Sequence, residues 1–293
     1  MHGKKIADLI VTIDEMMLSR EERRQSTLPL DKYYSTHFIN FVFKGVFLAV
    51  MVEVLIKTSS ALVWPLVNVY LKGDIEWEIL IELFTAVIYL SVNIVSITCR
   101  CLQGAIAVNA SFVYLLVQAD IENMMKMEFN EEKFEETIIN LIQYHQKINR
   151  LTCELRDIFT ISYCGDLLAA SQKLGCQGFT LMTNSIDIQG YFVQIWYIIK
   201  TVLSFFILYW PGQLLADMSA RVATAAFSIR WYTKNRRIST LVNLIILRSQ
   251  RPAHMTSKFE LMTLRSFGKI LVKGWSYACL LTNIGRCIHL QGK

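Results

Sequence analysis

Two lysines lie one helical turn apart inside an apolar stretch near the C-terminus, residues 267–281 (FGKILVKGWSYACLL). Lys269 and Lys273 share one helical face, and Arg265 extends the row by another turn. Within a bilayer such a row has two uses: it lines a water-filled passage for ions, or it reaches the lipid headgroups from a lipid-facing helix. Which use applies depends on whether the rest of the chain lies in a membrane.

The residue types that carry out catalysis are present but scattered. The five histidines stand singly, and neither they nor the seven cysteines show a nucleophile motif, a phosphate-binding loop or metal-ligand spacing. His145 is expected to pack or to face solvent rather than to act as a base. The sequence therefore predicts no enzyme, no catalytic residue, no cofactor and no metal site.

The composition points to a membrane protein built from helices. Hydrophobic residues make up 53% of the 293-residue chain and the mean hydropathy is +0.36, more apolar material than a globule of this size buries. The scarcity of proline (4) and the modest glycine content (13) favour long helices. The basic residues are not interleaved with aromatics on one face, so no nucleic-acid partner is expected. We predict an all-α, polytopic membrane helix bundle.

Five stretches are apolar over the ~20 residues that a bilayer crossing requires. They cover about 38–67, 79–98, 158–182, 191–215 and 262–284. The second of these stretches is able to continue as helix to about residue 117. Only a few residues separate the third and fourth stretches, which predicts a tight hairpin between them.

The charges between the stretches predict their orientation. Lysine and arginine are concentrated in 1–37 and 216–261, whereas 68–78 and 183–190 carry a single lysine between them. Because basic loops stay in the cytoplasm, the N-terminus is expected inside and, after five crossings, the C-terminus outside. The acidic segment 120–157 fits this orientation less well.

Three segments on the inner side carry apolar residues at helical spacing. They are the amphipathic N-terminal segment 1–37, an inner helix at about 131–157, and 216–261. An apolar helix face below the membrane must pack on the same chain or on a partner. An intramolecular bundle and an oligomerisation platform therefore both stay open.

Four stretches together resemble the insect odorant receptor family, and the resemblance covers nearly the whole chain. Besides the N-terminal segment they are 141–160 (LIQYHQKINRLTCELRDIFT), 208–232 (LYWPGQLLADMSARVATAAFSIRWY) and 247–281 (LRSQRPAHMTSKFELMTLRSFGKILVKGWSYACLL). The resemblance implies a multi-pass plasma-membrane receptor, the tuning subunit of an odorant-gated cation channel that forms a hetero-tetramer with a shared co-receptor. Its expected partners are that co-receptor, a small volatile ligand and membrane lipid.

The family has seven spans, and the five found here match the last five. This difference leads us to expect a truncated gene model, a splice form or a degraded gene. The expected organisation is a cytoplasmic segment 1–37, a four-span ligand-binding bundle 38–215, a cytoplasmic anchor helix 216–261, a pore-lining span 262–284 and an extracellular tail 285–293.

The resemblance also implies a pore and its gate. An apolar residue three after the Ser-Tyr tyrosine forms the gate in the family, which corresponds to Leu280, with Tyr277 below it and Asn283 above it. Lys273 and Lys269 precede Leu280 by seven and eleven residues and share its helical face. For this reason we expect both lysines to face the water-filled passage. The alternatives are that the lysines face lipid and that Leu280 packs against other helices.

The outer halves of the first four spans predict an aromatic pocket with a few hydroxyl groups. Its expected residues are Ser59, Ser60, Trp64, Tyr89, Phe179, Tyr191 and Trp196. Trp64 and Tyr191 fit a belt at the membrane interface equally well. Rival interpretations of the whole chain are a gustatory-type receptor of the same superfamily, a non-functional fragment, a G-protein-coupled receptor and a transporter.

Overall fold

A computed structural model describes residues 2–21, 76–126, 131–183 and 188–291 of the chain. The helices in these ranges are α1 (His2–Glu21), α2 (Glu76–Lys126), α3 (Glu131–Thr183), α4 (Ile188–Ser228), α5 (Arg236–Ser249) and α6 (Leu264–Gln291). A short 3-10 turn (Trp231–Thr233) separates α4 from α5. The described residues contain no β-strand, and their one β-bridge joins Thr256 to Leu261. The first expected span, 38–67, lies outside the described residues.

The chain divides into two compact units, and the boundary falls inside α2. One unit comprises Met1–Arg23 together with Gly104–Lys293, and the other is Arg24–Gln103. The described part of the second unit is the N-terminal half of α2. All contacts given below belong to the first unit.

Three helices are much longer than a bilayer is thick. α2, α3 and α4 have 51, 53 and 41 residues, which corresponds to roughly 60–80 Å at 1.5 Å per residue, about twice the ~30 Å hydrocarbon thickness or more. Each contains one predicted span and continues well beyond it. The inner helix expected at about 131–157 is therefore the first half of α3, continuous with the span at 158–182.

Within the described residues, two stretches are long and apolar enough to cross a membrane. They are Thr98–Met125 and Gly190–Thr233. The second contains the expected span 191–215. The first lies where the sequence predicts the inner continuation of the second span, and 61% of its most apolar window is buried against the rest of the protein. Burial in the helix bundle accounts for its apolar composition.

The C-terminal parts of α2 and α4 and the N-terminal half of α3 form a core with α1 and α5, and we call it the inner core after the orientation predicted from the sequence. The buried side chains in this core include Leu9, Ile13, Val117, Ile121, Ile138, Leu141, Ile148, Leu155, Ile238, Val242 and Ile245. Tyr144 on α3 donates a hydrogen bond of 3.1 Å to the Met16 carbonyl at the end of α1. Intramolecular packing thus covers part of the apolar surface that the sequence indicated.

The segment expected as one anchor helix, 216–261, has four parts. It comprises the end of α4, the 3-10 turn, α5 and an irregular stretch at 250–263. The irregular stretch returns the chain to α4, where Gly212 lies directly against the backbone of Met262. A side chain at Gly212 would overlap the Met262 carbonyl, so the glycine that follows Pro211 permits this approach.

Candidate functional site

Helix α6 has one face packed on the bundle and one face open. The buried positions Ile270, Gly274, Ala278 and Thr282 repeat every four residues; we call them the closed face. The opposite side carries Lys269, Lys273, Leu280 and Asn283, all exposed; we call it the open face. The two lysines and Leu280 thus lie on one side of the helix, as the sequence predicts.

The closed face packs on α3 at very short range. The Cβ of Ala278 lies 2.7 Å from where a Cβ on Gly178 would be, and Leu174 Cβ lies 2.8 Å from the same position on Gly274. Further along α6, the Thr282 hydroxyl donates to the Ala278 carbonyl oxygen at 2.9 Å and lies 3.4 Å from the sulfur of Met182. Glycines on both helices therefore let the α3 and α6 backbones approach more closely than larger residues allow.

Both lysines of the open face reach one carboxylate. Lys269 Nζ lies 3.0 Å from Glu260 Oε1, and Lys273 Nζ lies 3.8 Å from Glu260 Oε2. The hydrogen bond from Lys269 holds the pKa of the Glu260 carboxyl below its usual value, and the charge of Lys273 acts in the same direction. The sequence patterns did not indicate Glu260, because this residue precedes α6 and follows no helical spacing.

The predicted aromatic pocket is assembled only in part by the described residues. Ser59, Ser60 and Trp64 lie outside them, and the side chain of Tyr89 on α2 is not described. Phe179 on α3 is half-buried. Tyr191 and Trp196 on α4 are 47% and 57% exposed, so neither is enclosed by the chain itself. The pocket stays a prediction.

A polar contact between α3 and α4 lies beside these aromatic residues and was not anticipated. Gln177 Nε2 donates to Thr201 Oγ1 at 3.1 Å, and Gln194 Nε2 donates to the Gln177 carbonyl oxygen at 3.2 Å. The side-chain oxygen of Gln177 is buried and accepts no hydrogen bond. A glutamine inside an apolar span was the available signal, because an amide in hydrocarbon requires partners.

A second polar cluster lies in the inner core. Tyr114 on α2 donates to Asn149 Oδ1 at 2.9 Å, and its hydroxyl lies 3.4 Å from that of Thr152. The Tyr114 ring meets the edge of His145 at a centroid distance of 6.1 Å. Burial, with the nearby charge of Arg248, lowers the pKa of His145 to about 4, so the imidazole is neutral near pH 7. Of the two alternatives that the sequence leaves open for His145, packing and solvation, the structure shows packing.

A groove of about 650 Å³ lies between α1 and α3. Its charged lining includes Lys5, Asp8, Glu154 and Asp157. Across the described ranges, no group of three or more histidine, cysteine or acidic residues is placed to hold a metal ion.

Long apolar helices that meet through glycines are typical of a helical membrane bundle. The chain matches the family model for the 7tm odorant receptor over residues 1–272, and it belongs to that family. The family consists of multi-pass membrane receptors and not of enzymes, which confirms the predicted family and fold class.

Curated relatives with significant similarity are insect odorant receptors. Odorant receptor 10a of Drosophila melanogaster is 27% identical over 58% of this chain and 44% of its own length. Odorant receptor 67c of the same species is 24% identical over 52% of the chain and 38% of its own length. Odorant receptor 10 of Aedes albopictus is 30% identical over 50% and 39%. The matched part of the chain therefore spans less than half the length of each of these relatives.

Among solved structures, the olfactory receptor OR5 of the insect Machilis hrabei has a similar fold. The structure in complex with eugenol aligns with a TM-score of 0.68 over 85% of this chain and 68% of that chain, at 14% identity. The structure described without a ligand gives a TM-score of 0.65. Both share the helical membrane bundle.

Proposed function

We propose that the chain is the tuning subunit of an odorant-gated cation channel, assembled with a shared co-receptor in the plasma membrane of sensory neurons. The observation that carries the proposal is the division of α6 into a closed face locked onto α3 and an open face that carries Lys269, Lys273, Leu280 and Asn283. A polar row is costly at membrane depth in lipid, whereas it is solvated when the helix lines an ion passage.

Leu280 is the proposed gate. Its side chain is 53% exposed in the single chain, which supports a gate over a leucine packed in the core of this chain. A ring of apolar side chains closes a narrow passage because a hydrated ion would lose its water there. Asn283, one turn further out, offers an amide that replaces some of that water. Tyr277 is 45% exposed and rests on α3, so it belongs to the wall below the gate.

The proposed ligand is a small volatile molecule held in the outer half of the bundle. Phe179, Tyr191 and Trp196 supply aromatic surface there, and the amides of Gln177 and Gln194 supply polarity. Burial in such a pocket stabilises a ligand by ~25 cal/mol per Å² of apolar surface. Eugenol, the compound bound to OR5 of Machilis hrabei, is a suitable first probe because it combines an aromatic ring with one hydroxyl group.

Assembly with the co-receptor is proposed to use the inner helices. Leu244 and Leu247 on α5 are 52% and 61% exposed, next to buried Val242 and Ile245 on the same helix. Phe227 at the end of α4 is exposed as well. Three exposed apolar side chains in a segment that is expected to lie in the cytoplasm favour a contact with another subunit.

The proposed orientation places the N-terminus in the cytoplasm and the C-terminus outside, as the basic segments predict. An epitope tag before Met1 should stain only permeabilised cells, whereas a tag after Lys293 should stain intact cells. Staining of intact cells through the N-terminal tag would overturn this orientation.

The function is tested by expressing the 293-residue chain with an insect co-receptor in cells that lack both. Whole-cell currents are recorded during application of eugenol and a panel of other small volatiles, with the co-receptor alone as the control. We expect at least one volatile to evoke a cation current that the control lacks. Currents that match the control across the panel, in cells where the chain reaches the surface, would refute the proposal.

A further inference from the structure

The side chain of Glu260 is presented to α6 by a tightly bonded turn. The Ser257 amide and the Ser257 hydroxyl both donate to the Glu260 carbonyl oxygen, at 2.9 and 3.0 Å, and the Glu260 amide donates back to Ser257 Oγ at 3.0 Å. The bridge between Thr256 and Leu261 closes the same turn, with a 2.9 Å bond from the Met262 amide to the Met255 carbonyl. These bonds fix the backbone of the turn, and so the point from which the Glu260 side chain extends toward α6.

The turn is also fixed to the rest of the bundle. Gly212 on α4 lies against the backbone of Met262, and Met255 and Met262 are both fully buried. The Glu260 side chain is only 17% exposed, whereas those of Lys269 and Lys273 are 54% and 69% exposed. The acidic partner is thus held in place, and the two basic partners extend from α6 to meet it.

The pairing changes the charge that the open face presents. Without Glu260, Lys269 and Lys273 would place two positive charges one turn apart at the inner end of α6, and like charges repel a permeating cation. With Glu260 in contact with both, the group carries two positive charges and one negative charge.

We infer that Glu260 is a charge-compensating residue for ion permeation, which lowers the barrier that Lys269 and Lys273 would otherwise impose on cations at the inner mouth. The inference rests on the proposed function, because it assigns the open face of α6 to the ion passage. Charge compensation by Glu260 also explains how α6 can line a cation passage although it carries two lysines there.

The test is a charge cycle on the full chain, co-expressed with the co-receptor. Glu260→Gln removes the compensating charge, Lys269→Gln removes one positive charge, and the double variant returns the group to the net charge of the parent. Inward current is measured with the most effective volatile from the panel and normalised to surface expression. Reversal potentials are measured after dilution of external NaCl.

We expect Glu260→Gln to reduce inward cation current by ~2–5-fold, as one added charge near a narrow aqueous passage does, and to shift the reversal potential toward that of chloride. Lys269→Gln should change both quantities in the opposite direction, and the double variant should resemble the parent. The effect of Glu260→Gln should shrink at high ionic strength, because salt screens the charge.

A purely structural role for Glu260 gives a different pattern. Loss of the turn would lower surface expression and would not be reversed by Lys269→Gln. Equal effects of the two single variants, or a double variant worse than either, would therefore overturn the inference. Lys258→Gln serves as the matched control, because Lys258 lies on the same turn, is exposed and is not part of the charge group. A parent without any evoked current would instead refute the proposed function.

Discussion

The ring of Tyr277 on α6 lies where a side chain on Gly175 of α3 would have to be. The two residues are on neighbouring helices that run in the same direction, and the glycine allows the aromatic ring to rest directly on the α3 backbone. Three positions upstream of the proposed gate, the close packing of α6 on α3 therefore depends on the absence of one methyl group.

Gly175→Ala should destabilise the bundle, because the added methyl group overlaps the Tyr277 ring and forces α3 and α6 apart. We expect a loss of about 1–3 kcal/mol, seen as a lower unfolding temperature in mild detergent. Gly165→Ala is the matched control on the same helix, where nothing lies within 4 Å of the new methyl group. It should be neutral or stabilising by up to about 1 kcal/mol, since alanine is the better helix former. Equal effects of the two variants would contradict the packing described here.

Leu280→Ser should raise the current that flows without a volatile, because a hydroxyl group allows water to remain in the closed passage. Leu280→Ala, which stays apolar, should leak less than the serine variant. Leu281→Ser is the adjacent control, since Leu281 is half-buried and turned away from the open face. The measurement is basal current normalised to surface expression. If the serine variants at both positions conduct like the parent, Leu280 is not the gate.

Mild acid should destabilise the inner core through His145. Its pKa of about 4 in the folded protein lies below the ordinary value of 6.5, so the unfolded state binds a proton more readily. The stabilisation is complete above pH 6.5 and is lost as the pH falls toward 4, with about 2 kcal/mol lost between pH 7 and pH 5.

The check for His145 is the unfolding temperature in detergent between pH 5 and pH 7. His145→Phe keeps an aromatic ring and cannot take up a proton, so its curve should be flatter than that of the parent. His254→Gln is measured in parallel, because burial lowers the pKa of His254 as well. Parallel curves for the parent and His145→Phe would show that His145 is not responsible.

Glutamate at Leu244 and Leu247 should weaken association with the co-receptor, because charges there cannot enter an apolar contact without a large desolvation cost. Co-purification in mild detergent should fall several-fold, with more of the chain running as a monomer. Gln146→Glu adds the same charge at an exposed polar position of α3 and should leave the complex intact. Full co-purification of the leucine variants would place the subunit contact elsewhere.

Apolar composition predicted helices within the described residues, but α2, α3 and α4 continue well beyond the spans that it predicted. The change from apolar to charged residues near 157 marks a change of surroundings, and α3 passes through it without a break. Backbone hydrogen bonding continues wherever a helix can bury one face, whether against lipid or against protein. The sequence predicts one helix over 216–261 because the break at 229–235 contains no proline or glycine that would signal it.

The open face of α6 followed from spacing within one helix, which is information the sequence contains. The partners of α6 did not, because Gly175, Gly178 and Glu260 meet it through tertiary packing that no periodicity encodes. Glu260 lies only nine residues from Lys269, yet an irregular turn has to fold before the two side chains meet. Local pattern thus predicted which residues face outward and left open what they contact.

Pro211 is a point of reduced stiffness within α4. It cannot donate the backbone hydrogen bond that a helix position normally makes, which lowers the local bending stiffness, and Gly212 pins the same point to the Met262 backbone. The part of α4 before Pro211, 188–210, is roughly 35 Å long, and the part after Gly212, 213–228, is roughly 25 Å long. The chain that leads from the Glu260 turn into α6 is therefore joined to α4 next to its least stiff point, and not along either of the two longer parts of that helix.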